Sequence, residues 1–398
     1  MPLGAGAVFW LAGTMPGIYS LGNSMTPAAV SSLHVGISSA AIKNRSLLFR
    51  PVHAIIDTVG DDAAPPVDML QTLDAMHRAS GLFIAALEKK MSQGLLELAP
   101  SIREKWPFAA RYLRVNGWRM HYVDEGAGDP VLLLHGNPTW GFLYRDVIGP
   151  LAQSGRRVIV PDMIGFGLSE KPAREQAHTL DGHIANLVGL VRQLDLTRVT
   201  VVCHDWGGPT GLSFAMSDPH RVRALVVMST WAWPRPPAEF HTRLFPWRMM
   251  HAPLVGPYLL GRHNALARRG VYLSVVDRDK FRREALAAYE VVLRDPESRL
   301  LTWTWPRWIP LDEHARALNR FAWLEAELAK SQLPALIIWG REDEVFDAGT
   351  FATRFKRLLP HADGPHLVTG RHFLQEDSAP EIAGLIASFL DRLDQQGG

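Results

Sequence analysis

The chain has 398 residues, of which 47% are hydrophobic and 21% are charged, which is the balance of a globular protein long enough for more than one structural unit. Its 42 basic and 40 acidic side chains give a formal net charge of +2, so charge provides no basis for binding nucleic acid or an anionic membrane surface. The single cysteine, Cys203, cannot form an internal disulfide, and no sequence pattern indicates a metal site. We therefore expect a cytoplasmic protein without a metal or cofactor.

The sequence predicts that residues 1–105 form an N-terminal extension that is partly disordered. Positions 1–42 contain no charged side chain except histidine, and the longest apolar run there, around Ala7–Ala12, is too short to span a membrane. The segment also lacks the basic start and unbroken apolar core of a secretory signal. Apolar residues recur at helical spacing from Val67 to Met91, which predicts one amphipathic helix. Its apolar face needs a partner, either the main domain or another subunit, so we leave an oligomer open.

A different pattern begins near Trp106. Two short β-type segments flank Asn116-Gly117, a dipeptide that favours a tight hairpin turn. Continuous apolar runs follow, as expected for strands buried on both faces of a parallel sheet, and helical segments separate most of them. These runs are Val131–Leu134, Val158–Val160, Val199–Cys203, Ala224–Met228, Ala335–Trp339 and His366–Val368. The alternation predicts an α/β protein with a mostly parallel, eight-stranded sheet.

The alternation stops between Thr230 and about Leu333. This interval contains clusters of tryptophan and proline, together with stretches of helical period such as Arg282–Leu293. Because it lies between two strands of the sheet, we predict a helical cap over the carboxyl edge of the sheet, where ligands of open α/β sheets bind. The predicted domains are a core of residues 106–230 and 331–398, and a cap of residues 231–330.

The strongest chemical signal is an apolar strand that runs directly into a turn at Asp205 and then into a helix. The neighbours Cys203, Gly207 and Gly208 are small, which is typical of a nucleophile elbow whose sharp turn excludes bulky side chains. The following helix begins at this carboxylate and favours its ionised form. An aspartate at a helix N-cap is the simpler interpretation, but the strand-turn-helix context favours a nucleophile.

An aspartate nucleophile restricts the chemistry. A carboxylate that attacks a saturated carbon forms an alkyl ester, which water can then hydrolyse. Asp205 therefore predicts substrates that carry a leaving group on a saturated carbon, such as alkyl halides and epoxides. A serine esterase or lipase would need serine at this position and is excluded.

Hydrolysis of that ester requires a base and a group that orients it. His372 follows the last apolar run, so the chain order is nucleophile, acid, histidine, and an imidazole has the basicity for the task. His204 is closer to Asp205 in sequence, but its side chain should leave the strand in the wrong direction. Asp343, in the loop after the Ala335–Trp339 run, is the expected orienting acid. Glu342 and Asp347 are its local alternatives.

The loop after the Val131–Leu134 run should supply hydrogen-bond donors. Backbone N–H groups of Asn137 and Trp206 are expected to form an oxyanion hole beside the nucleophile. The candidate walls of a substrate pocket are Phe142, Trp233, Trp303, Trp305 and Trp308, although packing in the core is the commoner role of such residues.

Four motifs together resemble haloalkane dehalogenases: H-G-N-P-T-W, P-D-M-I-G-F-G-L-S-E-K-P, H-D-W-G-G-P and G-R-H-F-L-Q-E. The resemblance runs from about Trp106 to the C-terminus. It implies an α/β-hydrolase fold and hydrolysis of a small haloalkane by water to alcohol, halide and a proton, through an ester on Asp205. It also implies that Trp206 holds the departing halide together with either Asn137 or a tryptophan of the cap. Asp343 and Asn137 are similar to the subfamily with an Asp-His-Asp triad and an Asn-Trp halide pair.

Two departures and two alternatives accompany this resemblance. Cys203 stands where related hydrolases often have glycine, and Arg371 precedes the catalytic histidine. An epoxide hydrolase would use the same nucleophile with a cap tyrosine as proton donor, for which the cap offers Tyr258, Tyr272 and Tyr289. Against it, Asn137 stands where that family usually has an aromatic residue. A non-catalytic binding protein of the same fold is the second alternative.

Overall fold

The structure is a computed structural model that describes residues 99–174, 177–234, 254–308 and 318–397. The predicted amphipathic helix and nearly all of the predicted extension lie outside these residues. The described part begins with a short helix, Pro100–Lys105, that buries Ile102 against the core. Across the four described ranges, no helix has the length and apolarity needed to cross a membrane.

The centre of the fold is the eight-stranded sheet that the apolar runs predict. Its strands are β1 Arg111–Val115, β2 Trp118–Gly126, β3 Pro130–Leu134, β4 Arg157–Pro161, β5 Val199–His204, β6 Val222–Met228, β7 Ala335–Gly340 and β8 Asp363–Val368. They lie in the order β1-β2-β4-β3-β5-β6-β7-β8. Strand β2 runs antiparallel to β1 and β4, and the other neighbours are parallel. The prediction of a mostly parallel sheet is confirmed.

The hairpin between β1 and β2 has the predicted turn. Asn116 and Gly117 both have positive φ, at 50° and 88°, and Val115 pairs with Trp118 across the turn. Two successive residues at positive φ match the twist of the flanking strands, and Asn-Gly is the dipeptide that tolerates them best.

The remaining described chain is helical or forms loops. The α-helices are α1 Pro100–Lys105, α2 Arg145–Gln153, α3 Leu180–Gln193, α4 Gly207–Ser217, α5 Val271–Leu273, α6 Arg278–Glu284, α7 Leu286–Val291, α8 Leu300–Thr304, α9 Leu318–Leu328, α10 Phe351–Leu358 and α11 Leu374–Gly397. Short 3₁₀ turns occur at Gly141–Tyr144, Pro219–Arg221, Glu297–Arg299 and Trp305–Trp308, and π-helical turns at Pro257–Arg262 and Leu266–Gly270.

Side chains of the central strands alternate between two buried clusters, one on each face of the sheet. Leu132 and Val201 pack into the cluster that contains residues of α3, α4 and α9. Leu133 and Val202 pack into the cluster with residues of α2 and α11. Burial on both faces is the physical reason that these strands read as continuous apolar runs.

Helices α5 to α9 lie between β6 and β7 in the chain, where the sequence predicts a helical cap. The predicted helix over Arg282–Leu293 is instead two helices, α6 and α7, which meet at Ala285 (φ −128°). The closing helix, α11, begins at Leu374 and bends at Ser378. Proline disfavours a helical conformation in the preceding residue, so a bend just before Pro380 is expected. The exact domain boundaries stay a prediction.

Candidate active site

Asp205 occupies the turn between β5 and α4 with a positive φ of 49°. A residue other than glycine rarely adopts this conformation, and surrounding contacts must hold it. The Asp205 amide donates to the Ser229 carbonyl at 3.1 Å. Its own carbonyl accepts from the Gly208 amide at 2.9 Å and from the Thr230 hydroxyl at 2.6 Å. The turn therefore presents the Asp205 side chain at the end of β5.

The small residues around this turn are required by close backbone contacts. A Cβ atom at Gly136 would collide with the Asp205 carboxylate. One at Gly207 would meet the Leu134 carbonyl, and one at Gly208 would meet the Thr230 side chain. These clashes explain the run of glycines that marks the elbow in the sequence.

The two carboxylate oxygens of Asp205 face different partners. Oδ1 accepts from the Asn137 amide at 2.7 Å, and Oδ2 lies 3.5 Å from His372 Nε2. Burial alone would raise the pKa of Asp205, but the hydrogen bond and charge of His372, with help from His204 and the Asn137 amide, hold it below its ordinary value. The buried carboxylate is therefore ionised near neutral pH.

His372 lies between Asp205 and Asp343. Its Nδ1 is 3.3 Å from Asp343 Oδ2, while Asp343 Oδ1 accepts from the amides of Val345 and Phe346 at 2.8 and 2.9 Å. Because a carboxylate can only accept, Nδ1 carries a proton and Nε2 faces Asp205. The loop after β7 thus fixes the orientation of the imidazole.

Neither local alternative to Asp343 has this contact. Glu342 donates its backbone amide to the Gly370 carbonyl and has a half-exposed side chain. Asp347 Oδ1 accepts from the Thr350 amide at 3.0 Å, at the start of α10.

Two carboxylates raise the basicity of His372. Burial alone would lower the pKa of the imidazole, but the negative charges of Asp343 and Asp205 and the hydrogen bonds to them raise it to about 10. At neutral pH His372 is therefore a cation while Asp205 is ionised. Loss of the Asp205 charge would remove part of this stabilisation and lower the pKa of His372.

His204 makes a different contact. Its Nε2 lies 2.8 Å from the His372 carbonyl oxygen, and because a carbonyl only accepts, Nε2 must be the protonated nitrogen. Burial and the nearby His372 lower the pKa of His204 to about 4. His204 is a neutral imidazole that holds the backbone of His372.

The two predicted halide donors, Asn137 and Trp206, are both buried. The Asn137 side-chain amide donates to the Thr302 carbonyl of α8 at 3.1 Å, which leaves one further N–H on that nitrogen. The Trp206 ring is buried between Trp231 and Trp305, with ring centres 4.9 and 5.0 Å away. Both donors are therefore held by contacts with neighbouring elements.

The candidate pocket walls have other contacts. Phe142 stacks on Trp140 and lies under the Arg145 guanidinium. Trp233 packs against Phe351 and Phe355 of α10. Trp303 lies against Gly261, and Trp305 lies against Trp206. A role of the candidate walls in a substrate pocket stays a prediction.

Sequence reasoning missed part of the aromatic surroundings of the site. Trp231 contacts Trp206, and the Phe346 ring lies 5.4 Å from the His372 ring. The position of both residues in the sequence could have indicated them, because Trp231 follows the end of β6 and Phe346 lies three residues after Asp343.

The cap tyrosines proposed for an epoxide hydrolase point to other partners. Tyr289 is fully buried and its hydroxyl donates to Glu376 at 2.5 Å. The Tyr272 hydroxyl accepts from Arg282 at 2.6 Å, and Tyr258 is 60% exposed. These contacts give the epoxide alternative no support.

Comparison with known proteins agrees with this geometry. Residues 129–379 match the family model described as alpha/beta hydrolase fold. The chain belongs to the α/β-hydrolase family. A haloalkane dehalogenase of Mycolicibacterium paratuberculosis is 34% identical over 304 residues, which cover 73% of this chain and 95% of that protein. The resemblance to haloalkane dehalogenases predicted from the four motifs is confirmed.

Other known proteins have similar sequence identity to this chain. A cis-3-alkyl-4-alkyloxetan-2-one decarboxylase of Shewanella oneidensis is 33% identical over 287 residues, covering 71% of this chain and 89% of its own. Among solved structures, the haloalkane dehalogenase DatA from Agrobacterium tumefaciens is 27% identical, with a TM-score of 0.64 over 71% of this chain and 96% of that one. The haloalkane dehalogenase DbeA from Bradyrhizobium elkani is 26% identical, with a TM-score of 0.66 over 73% of this chain and 99% of that one.

Proposed function

We propose that this protein hydrolyses haloalkanes to an alcohol, a halide ion and a proton through an alkyl ester of Asp205. The observation that carries the proposal is the position of the Asp205 carboxylate, which lies between the Asn137 amide at 2.7 Å and His372 Nε2 at 3.5 Å, with Asp343 behind the imidazole. A nucleophile beside a base that a third group orients is the arrangement that two-step covalent catalysis requires.

In the first step, a carboxylate oxygen of Asp205 attacks the carbon that bears the halogen. The carbon–oxygen bond forms as the carbon–halogen bond breaks, and the halide leaves with the bonding electrons. The indole N–H of Trp206 and the remaining side-chain N–H of Asn137 stabilise that halide. Both are donors without a competing lone pair at the same nitrogen, which suits an anion.

In the second step, His372 removes a proton from water and the resulting hydroxide attacks the ester carbonyl carbon. The backbone amides of Asn137 and Trp206 stabilise the oxyanion. The Asn137 amide already donates to Asp205 Oδ1, the oxygen that would bear this charge when Oδ2 carries the alkyl group. Collapse of the intermediate releases the alcohol and restores the Asp205 carboxylate.

Formation of the ester changes the pKa of His372 so that it becomes a base in the second step. While Asp205 is ionised, its charge and that of Asp343 raise the pKa of His372 to about 10. The ester is neutral, so its formation removes one of these charges and lowers the pKa of His372. The imidazole then loses its proton more readily at neutral pH, when a base is needed.

Halide release from a panel of brominated alkanes is the direct test of the proposed function. We expect one equivalent of alcohol for each halide ion and no reaction by Asp205→Ala. Styrene oxide in the same panel tests for diol formation by an epoxide hydrolase. Turnover of epoxides without release of any halide would contradict the proposal, and titration of tryptophan fluorescence with bromide would reveal a binding protein that lacks turnover.

A relative with a different reaction supports a second candidate function, decarboxylation of a β-lactone. The relative from Shewanella oneidensis is named for cis-3-alkyl-4-alkyloxetan-2-ones. Attack of Asp205 on ring carbon 4 would open such a lactone to a carboxylate. Loss of carbon dioxide would then form the alkene and expel the Asp205 carboxylate, without consuming water. A cis-dialkyl oxetan-2-one in the panel distinguishes the two reactions, because decarboxylation yields an alkene and dehalogenation does not.

Trp206→Phe should selectively slow the first step. Phenylalanine keeps an aromatic ring between Trp231 and Trp305 and removes the N–H, so we expect halide release to slow by about 10²–10³-fold. Ester hydrolysis should be unchanged, because the backbone amide remains. Rapid-quench measurement of the halide burst separates the two steps. The matched control is Trp231→Phe, and an equal loss of the burst in that variant would contradict the role of Trp206.

We further propose a cytoplasmic location, which rests on a single buried cysteine that cannot form an internal disulfide. The Asp-His-Asp triad with an Asn-Trp halide pair is our proposed subtype. The absence of nucleic-acid and membrane partners, and the oligomeric state, stay predictions.

A further inference from the structure

The residues that follow the base are bound to the cap. We define the histidine segment as residues 371–377, which run from the loop after β8 into the first turn of α11 and include His372. Three of its groups bind cap residues: Arg371 Nη1 donates to the Leu273 carbonyl at 3.1 Å, the Phe373 amide donates to the Ser274 carbonyl at 3.2 Å, and Asp377 Oδ1 accepts from the Val276 amide at 3.0 Å. The segment is thus held along its length by one part of the cap.

A buried charge network adds a stronger contact. Glu376, four residues after His372, forms two hydrogen bonds of 2.7 Å with the Arg145 guanidinium. Glu376 Oε1 also accepts from the hydroxyl of Tyr289, which lies in α7 of the cap. All three side chains are buried. In such surroundings hydrogen bonds to charged groups are strong, and loss of one partner leaves a poorly solvated charge.

The nucleophile is held by different contacts. The backbone of Asp205 is bonded to Ser229, Gly208 and Thr230, and none of these residues belongs to the network around Glu376. A change at Tyr289 or Asp377 therefore disturbs His372 before it disturbs Asp205. The first chemical step uses the nucleophile, whereas the base acts in the second step.

We propose that Tyr289 and Asp377 are positioning residues for His372: they tie the histidine segment to the cap and keep the imidazole within reach of the Asp205 ester. The inference rests on the proposed function. It assigns to the buried cap tyrosine a role in orienting the base, in place of proton donation to a substrate. It also explains why Glu376 and Asp377 follow the catalytic histidine so closely.

Tyr289→Phe tests the inference, because it removes one hydroxyl and keeps the ring packed against Phe142 and Phe281. We expect kcat for a bromoalkane to fall about 10-fold, since small displacements of a catalytic group have large effects on rate. The halide burst of the first turnover should keep the wild-type rate. Tyr272→Phe is the matched control, because the Tyr272 hydroxyl accepts from Arg282 in an exposed position, and it should leave both steps unchanged.

Asp377→Ala provides a second variant that disturbs the fold less, because the Val276 and Asp277 amides that donate to Asp377 are exposed and can bind water. In both variants, displacement of His372 from Asp343 lowers its pKa, so the acid limb of the kcat–pH profile should move to lower pH. If the substitutions only destabilised the fold, kcat would fall by the same factor at every pH, and the acid limb would not move.

Three outcomes distinguish this inference from the proposed function. A reduced kcat with an intact burst and a shifted acid limb supports it. Variants with the wild-type kcat, or with burst and kcat reduced equally, overturn it while the wild-type burst still supports the proposed function. Absence of any halide release by the wild-type protein overturns both.

Discussion

His372→Phe should release one halide ion per active site and then stop. The first step needs only the Asp205 carboxylate and the halide donors, and phenylalanine can occupy the buried space between Phe346 and Phe373. Without an imidazole no group activates water, so the alkyl ester accumulates. Mass spectrometry of the intact protein should detect the added alkyl group, and peptide mapping should locate it on Asp205.

Two controls support this reading of the trapped state. The wild-type protein should release many equivalents of halide, and Asp205→Ala should release none. Continued turnover by His372→Phe, or an alkyl group on any other residue, would contradict the assignment of base and nucleophile.

Asp343→Asn should reduce turnover by about 10³–10⁴-fold, as expected when a catalytic imidazole is held in the wrong tautomer. Asparagine Oδ1 can still accept from the amides of Val345 and Phe346. Its NH₂ group then faces His372 Nδ1, which must accept, so the proton of a neutral imidazole moves to Nε2. That nitrogen faces the ester and can no longer remove a proton from water.

The first step of the Asp343→Asn variant should be much less affected, so ester should accumulate during turnover. Asp347→Asn is the control, because Asp347 binds the start of α10 and its replacement can still accept from Thr350. An equal loss of turnover in the two variants would contradict the assignment of Asp343 as the orienting acid.

The sheet was predictable because its strands follow simple physical rules. Burial on both faces makes β3, β5, β6 and β7 continuous apolar runs, and Asn116-Gly117 fixes the hairpin. The break between α6 and α7 at Ala285 was not predictable, because the apolar period continues across it. The contacts of the histidine segment with the cap were not predictable either, because they join residues that lie far apart in the sequence.

The five central side chains were predictable from position, since each follows the carboxyl end of a parallel strand. Asn137 follows β3, Asp205 and Trp206 follow β5, Asp343 follows β7 and His372 follows β8. Their catalytic roles stay predictions until the variants are measured. Contacts that depend on tertiary packing could not be predicted from the sequence. Examples are the hydrogen bonds from Asn137 to the Thr302 carbonyl and from His204 to the His372 carbonyl.

The central claim is that Asp205 becomes esterified, and a single turnover in water enriched in oxygen-18 tests it most directly. With protein in excess over a bromoalkane, the alcohol oxygen should come from the Asp205 carboxylate and contain no label. The peptide that contains Asp205 should instead gain one oxygen-18 atom, because water attacks the ester carbonyl carbon. Label in the alcohol of the first turnover, with none in that peptide, would mean that water displaces the halide directly and would contradict the account.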